Sequence, residues 1–229
     1  MNILAHLHPP ADRDTDEPSP SAQRLLLHDV DWASYIAIGE HLRDRPALRM
    51  TYEGGRLEFM TTSPRHEIYK KWLGRIIETL AEECHLALAT AGNMTFQRPE
   101  LERGLEPDDC YWIACEARMR GRLEWEPQRD PPPDLVVEIE ITRSALDRMN
   151  IYAALGVPEV WRFDGSALQI EVLLADGTYQ KAANSLSFPK IPLDDLLPFL
   201  EPSETVDYLS RIRAVRDWVR EQLGKSEGG

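Results

Sequence analysis

Apolar residues recur at every second position in some stretches of the chain and at every third or fourth in others. The change of period separates strands from helices. The central stretch is Pro131-Pro132-Pro133-Asp134-Leu135-Val136-Val137-Glu138-Ile139-Glu140-Ile141-Thr142. Three prolines end a loop, and the β-branched run that follows reads as a buried strand. Side chains alternate across a strand, so Asp134, Val136, Glu138 and Glu140 share one face while Leu135, Val137, Ile139 and Ile141 share the other.

Around this strand the pattern predicts a series of elements. Asp31 caps a helix opening at Trp32 and ended by Pro46. Leu48 to Tyr52 and Arg56 to Met60 form a hairpin across Gly54-Gly55. Ser63 and Pro64 start a helix whose core stripe is Ile68, Trp72, Ile76 and Leu80, reinforced by Leu73 and Ile77. Leu86 to Phe96 reads as a strand pair or one irregular strand, and Arg98 to Gly104 as an exposed loop. Leu105 to Ile113 runs from an acidic loop into an apolar strand. A helix over 144–155 ends at Gly156, in the position that favours a left-handed cap. Val160 to Phe163 is the next strand, so a strand–helix–strand crossover in a mixed sheet is expected. A further hairpin spans 168–180, and a closing helix spans 203–223 with Val206, Leu209, Ile212, Val215, Trp218 and Val219 as its apolar face.

Composition narrows the class. The 229 residues, 42% hydrophobic and 28% charged, suit one substantial core with appended ends. The expected organisation is an acidic mobile tail over 1–24, one domain over 25–200 and a helical, fraying end over 201–229. The net charge of -13 offers no broad basic surface to a phosphate backbone. A local basic groove, or substrate held through metal ions, stays open. Cys84, Cys110 and Cys115 are too few and too scattered for a disulfide framework or a four-ligand zinc site, and a reducing cytoplasm is the simplest setting. No apolar run approaches the length of a membrane span.

The acids carry the candidate chemistry. Carboxylates at Glu138 and Glu140 repel each other and are costly to bury unpaired. Either their face is wet and they pair with Arg or Lys, or a divalent cation relieves the repulsion. Spacing alone favours the first reading. Asp108 stands where an acid would meet the central strand if the two strands paired. Glu58 is expected to face solvent, and Glu67 suits the positive end of its helix dipole. The cluster Arg118, Arg120 and Arg122 is expected to be a solvated loop, with a phosphate contact as the other reading.

Three ordered segments then meet a family. Glu106-Pro107-Asp108, the run Pro132 to Glu140, and Ile151-Tyr152-Ala153-Ala154-Leu155-Gly156-Val157-Pro158-Glu159-Val160-Trp161-Arg162 together resemble the Uma2 family of the PD-(D/E)XK nuclease-like superfamily. Tyr52 to Met60 and Ser63 to Glu67 look like the family's opening, and the resemblance covers about residues 45 to 200. It implies an α/β (α+β) fold with a restriction-endonuclease-like core. That core is a central mixed sheet flanked by helices, with an N-terminal hairpin and a C-terminal helix.

The resemblance also implies a metal-dependent endonuclease. Asp108, Glu138 and Glu140 would hold Mg²⁺ or Mn²⁺, and the catalytic set would be Asp108, Glu138, Glu140, Arg148 and Glu67. Glu140 stands where the superfamily usually has lysine. Arg148, on the following helix, is the substitute cation and would contact the scissile phosphate, while Glu67, His66 and Glu58 would support the ligands or the water. Arginine stays protonated, so it stabilises charge but is a poor general base. The partner is nucleic acid, DNA ahead of RNA, with no membrane and with a homodimer expected, served by Trp161 and the aromatics of the last helix. The alternatives are a catalytically inert module of the same fold, for dimerisation or nucleic-acid recognition, and a metal hydrolase of small phosphate esters.

Overall fold

The computed structural model describes residues 23–42 and 48–227. The expected tail, but for its last two residues, and Pro46 lie outside them. Strand β1 (Arg24–Leu27) opens the described chain. Helix α1 (Trp32–Leu42) follows, with the Asp31 carboxylate accepting the Ser34 N–H at 2.7 Å as its cap. The hairpin is β2 (Leu48–Glu53) and β3 (Arg56–Thr61), turned by Gly54 and Gly55, both at positive φ. Helix α2 (Pro64–Glu83) starts as the sequence predicts, with Pro64 in its first turn and the Ser63 hydroxyl accepting the His66 N–H.

Short strands come next: β4 (Ala89–Thr90), β5 (Phe96–Arg98), β6 (Arg103–Leu105) and β7 (Asp109–Trp112). A four-residue helix α3 (Glu116–Met119) precedes the central strand β8 (Leu135–Ile139). Helix α4 (Arg148–Leu155) then leads to β9 (Glu159–Phe163), the hairpin β10 (Leu168–Leu173) and β11 (Tyr179–Ala182), and the closing helix α5 (Tyr208–Glu227). The stretch 98–104, expected as one exposed loop, holds the end of β5, a 3-10 turn over Pro99–Leu101 and the start of β6, and Glu102, exposed and left-handed, turns the chain between them.

Two sheets form. One has five strands in the order β1-β3-β2-β6-β5, with every pairing antiparallel. The other has six, in the order β11-β10-β9-β8-β7-β4. There β8 pairs antiparallel with β7 and parallel with β9, which makes it the mixed sheet with its crossover helix. Sequence alternation on β8 sorts the two cores. Leu135, Val137 and Ile139 join α2 and α5, while Val136 joins Ile151, Tyr152 and Leu155 of α4. Among the described residues no helix is long and apolar enough to cross a membrane.

Several expectations are corrected. Ile68 is 49% exposed, while Leu73, Ile76, Ile77 and Leu80 are fully buried. Helix α4 begins at Arg148 rather than Ser144, because Asp147 caps it through the N–H groups of Met149 and Asn150. Trp161 is fully buried and donates its indole N–H to Glu159, so it offers nothing to a dimer partner. Trp218 packs against Phe199. Lys225 is helical and pairs with Glu221 instead of fraying. The basic cluster is solvent-exposed, as expected, with local partners: Arg120 pairs with Glu116, Arg122 with Asp130, and Arg118 donates to the Arg129 carbonyl.

Candidate active site

The acidic face of β8 turns toward α4 and the edge of the hairpin sheet. Glu138 is buried there, and its Oε1 collects every donor offered to it. Arg148 gives it two N–H groups, from Nε at 3.1 Å and Nη2 at 2.6 Å, and the Tyr152 hydroxyl adds a third bond. Arg148 and Tyr152 reach the same oxygen because they stand four residues apart on one face of α4. The rest of the Arg148 guanidinium is also committed. Its Nη1 donates to Thr51 on β2 at 2.8 Å and its Nη2 to the Glu106 carbonyl at 2.7 Å. Arg148 therefore clasps β8 to the hairpin and to the loop before β7, with its fork filled from inside the protein.

Asp108 precedes β7 and meets β8 end on. The Ile139 N–H donates to its Oδ2 at 2.7 Å, and His66 Nε2 lies 2.9 Å from the same oxygen. His66 Nδ1 lies 3.2 Å from the carboxylate of half-exposed Glu67, so the first turn of α2 brings Glu67 to the site only through the imidazole. Burial would raise the Asp108 carboxyl, but the hydrogen bond and charge of His66 outweigh it and hold it below the usual carboxylate range. His66 shows the mirror effect. Burial disfavours its charged form, and the bond to Asp108 reverses that and raises its pKa.

Glu138 behaves differently. Burial pushes it up to about 6, with Arg148 pulling down and the Asp108 charge adding to the rise. The two carboxylates thus feel each other. Neither Glu138 Oε2 nor Asp108 Oδ1 receives a hydrogen bond among the described residues, and both acids line one small cavity. Its volume is 20 Å³, room for about one water molecule. Two carboxylate oxygens left unbonded on a space of that size suit one hard divalent cation, which commonly takes one or two carboxylates and completes its shell with water and phosphate.

Glu140 lines the same cavity but is already paired. Both of its oxygens are held by Arg162 of β9, at 2.8 Å each. Among the described residues no group of three His, Cys, Asp or Glu side chains is placed to hold an ion. The structure thus brings Asp108, Glu138 and Arg148 together, adds His66, leaves Glu67 at the margin and keeps Glu140 on the wall of the same cavity, paired with Arg162.

Glu58 is buried rather than solvent-facing, contrary to expectation. It accepts the Ser144 hydroxyl and the Ala145 N–H, the latter at 2.6 Å, and so fixes the loop that delivers Arg148. Three further residues escaped the sequence reading: Arg49 and Thr51 on β2, and Tyr152 as a ligand of Glu138. A signal existed for the first two. Alternation places Arg49, Thr51, Glu58 and Met60 on the same face of the hairpin, opposite Met50, Tyr52, Leu57 and Phe59.

Comparison with known proteins follows this geometry. One crystal structure with a similar chain path is that of a putative nuclease belonging to DUF820 from Anabaena variabilis. It shows 13% sequence identity and a TM-score of 0.43, covering 74% of this chain and 90% of that one. No curated protein matches the sequence. The family model named Uma2, described as "Putative restriction endonuclease", matches residues 32–205. That span holds β2, α2, the acids of β7 and β8, and the whole crossover through α4 to β9, and on that match the chain belongs to the Uma2 family.

Proposed function

We propose that the chain is a divalent-metal-dependent endonuclease that hydrolyses phosphodiester bonds of nucleic acid, DNA ahead of RNA. The observation that carries this reading is the pair Asp108 and Glu138. Asp108 lies just before β7 and Glu138 on the neighbouring β8; each has one oxygen bonded to the protein and the other without a partner among the described residues, and both residues line one cavity. Those two residues would hold Mg²⁺ or Mn²⁺. Such an ion, when bound, lowers the pKa of a water and neutralises charge on the phosphodiester.

The chain's own residues set up the rest. Arg148 keeps Glu138 in place and lowers its affinity for a proton, so that the carboxylate is available near neutral pH. His66 and the Ile139 N–H orient Asp108 through its Oδ2 and leave Oδ1 without a partner among the described residues. Arg148 itself acts as a positioning residue here, since Glu138, Thr51, Tyr152 and the Glu106 carbonyl already take its donors.

One observation favours the competing reading, a nuclease-like module without catalysis. The position usual for lysine holds Glu140, and Glu140 is neutralised by Arg162. Mn²⁺ titration calorimetry on the native protein, Asp108→Asn and Glu138→Gln separates the two, paired with cleavage of plasmid and single-stranded substrates. Metal binding and cleavage that both vanish in each variant, with unchanged circular dichroism, support the nuclease. Full cleavage by both variants overturns it, and absence of metal binding in the native protein hands the lead to the inert module.

A further inference from the structure

Arg49 has no place in the account so far. It sits on β2 with its side chain on the face shared by Thr51, and it lines the same cavity as Asp108, Glu138 and Arg148. Only 4% of the residue is exposed. Yet its Nε and Nη1 have no hydrogen-bond partner, and it makes no ion pair among the described residues. A buried guanidinium left this way is costly, because its hydration is lost and nothing replaces it.

Three of the four acids that line this cavity are already matched. Glu138 has Arg148, Glu140 has Arg162, and Asp108 has His66. The fourth, Glu106, feels the charge of Arg49 and accepts the Thr95 hydroxyl at 3.1 Å, but forms no ion pair with Arg49 among the described residues. Arg49 is therefore a cation of this cavity whose Nε and Nη1 no acid bonds, and Glu106 feels its charge without forming an ion pair with it. Hydrophobic substitution would suit such a position better unless something from outside completes it.

We propose that Arg49 is an anion-binding residue that receives a phosphate oxygen of the substrate. The cavity admits a single oxygen atom and not a whole phosphate group, so the phosphate stays at the mouth and directs one non-bridging oxygen inward. A planar guanidinium with two nitrogens, Nε and Nη1, still without partners suits that contact. This role rests on the nuclease reading for the identity of the substrate, but the anion site itself does not. It also separates two jobs that sequence assigns to one arginine: Arg148 positions the acid and Arg49 meets the phosphate.

The test uses the full chain with inorganic phosphate in the presence of a chelator, followed by oligonucleotide binding and cleavage with Mn²⁺. Arg49→Met keeps the length and apolar stem of the side chain and removes the charge. It is expected to melt a few degrees higher than the native protein without ligand, since an unpaired buried charge is gone. Phosphate is expected to raise the melting temperature of the native protein and of Arg49→Lys, and to leave that of Arg49→Met unmoved. Oligonucleotide affinity is expected to fall about tenfold in Arg49→Met, with the slope of log K against log salt smaller by about one. Phosphate stabilisation lost in Arg49→Met, from a native protein that cleaves nothing, retains the anion site and removes the nuclease reading. Equal phosphate stabilisation in native protein and Arg49→Met, or none in either, overturns the inference even if the native protein cuts nucleic acid.

Discussion

Replacing Arg148 with methionine tests whether this arginine positions the acid. The side chain is 11% exposed and that of Glu138 8%. The change removes two N–H groups from Glu138 Oε1, one from Thr51 and one from the Glu106 carbonyl, and leaves the carboxylate with only the Tyr152 hydroxyl. Breaking a buried pair from one side costs about 3–5 kcal/mol, most of it the uncompensated charge that remains. The cost depends on pH in a defined direction. Glu138 stands at about 6 in the native protein, above the ordinary carboxylate value, so the native state holds that proton more tightly than the unfolded chain. Its contribution to stability is complete below the ordinary value and is lost as pH rises through about 6. Without Arg148 the native pKa moves higher still, and the loss continues at about 1.4 kcal/mol per pH unit. Urea unfolding at pH 6.5 and pH 8 reads this directly. The gap between native protein and Arg148→Met is expected to widen by about 2 kcal/mol across that interval, and adding Glu138→Gln to the variant is expected to abolish the widening. A gap below about 1 kcal/mol, or one equal at both pH values, would refute the role given to Arg148.

Two further substitutions probe the scaffold of the site. Glu58→Ala strips the Ser144 hydroxyl and the Ala145 N–H of their acceptor, and is expected to cost about 1–3 kcal/mol in chemical denaturation and to speed proteolysis of the loop before α4. Gly104→Ala would drive a Cβ onto the Tyr35 hydroxyl and to 3.0 Å from two of its ring carbons, so a loss of about 1–3 kcal/mol is expected by the same measurement, relieved by adding Tyr35→Phe.

The face that carries the acids was legible because strand geometry is strict. Alternation along β8 put Glu138 with Val136 and α4, and the position of Asp108 followed once β7 paired with β8. What sequence could not supply were partners distant along the chain. Glu58 looked solvent-facing because its partner loop lies 87 positions away. Glu140 looked like a third ligand, since nothing local shows that Arg162 on the next strand will take both its oxygens. Ile68 illustrates a different failure. A stripe at four-residue spacing drifts by about 40° per step around a helix of 3.6 residues per turn, so three steps before Leu80 it has left the core face. Trp161 was misread because β9 lies in the interior of the sheet beside a parallel neighbour, where both faces are covered and aromatic residues have no open side.

The clasp made by Arg148 also bears on the order in which the molecule assembles. Thr51 and Arg148 are 97 positions apart, and His66 and Asp108 are 42 apart. Contacts of such span close late, after the entropy of bringing distant segments together has been met by docking of both sheets. The β2–β3 hairpin and α2 depend on local contacts and can form while the chain is still being made. Glu138 gains its cation only once the crossover helix has been synthesised and seated. A chain that lacks the crossover helix therefore also lacks the cation that holds Glu138 and ties β8 to the hairpin.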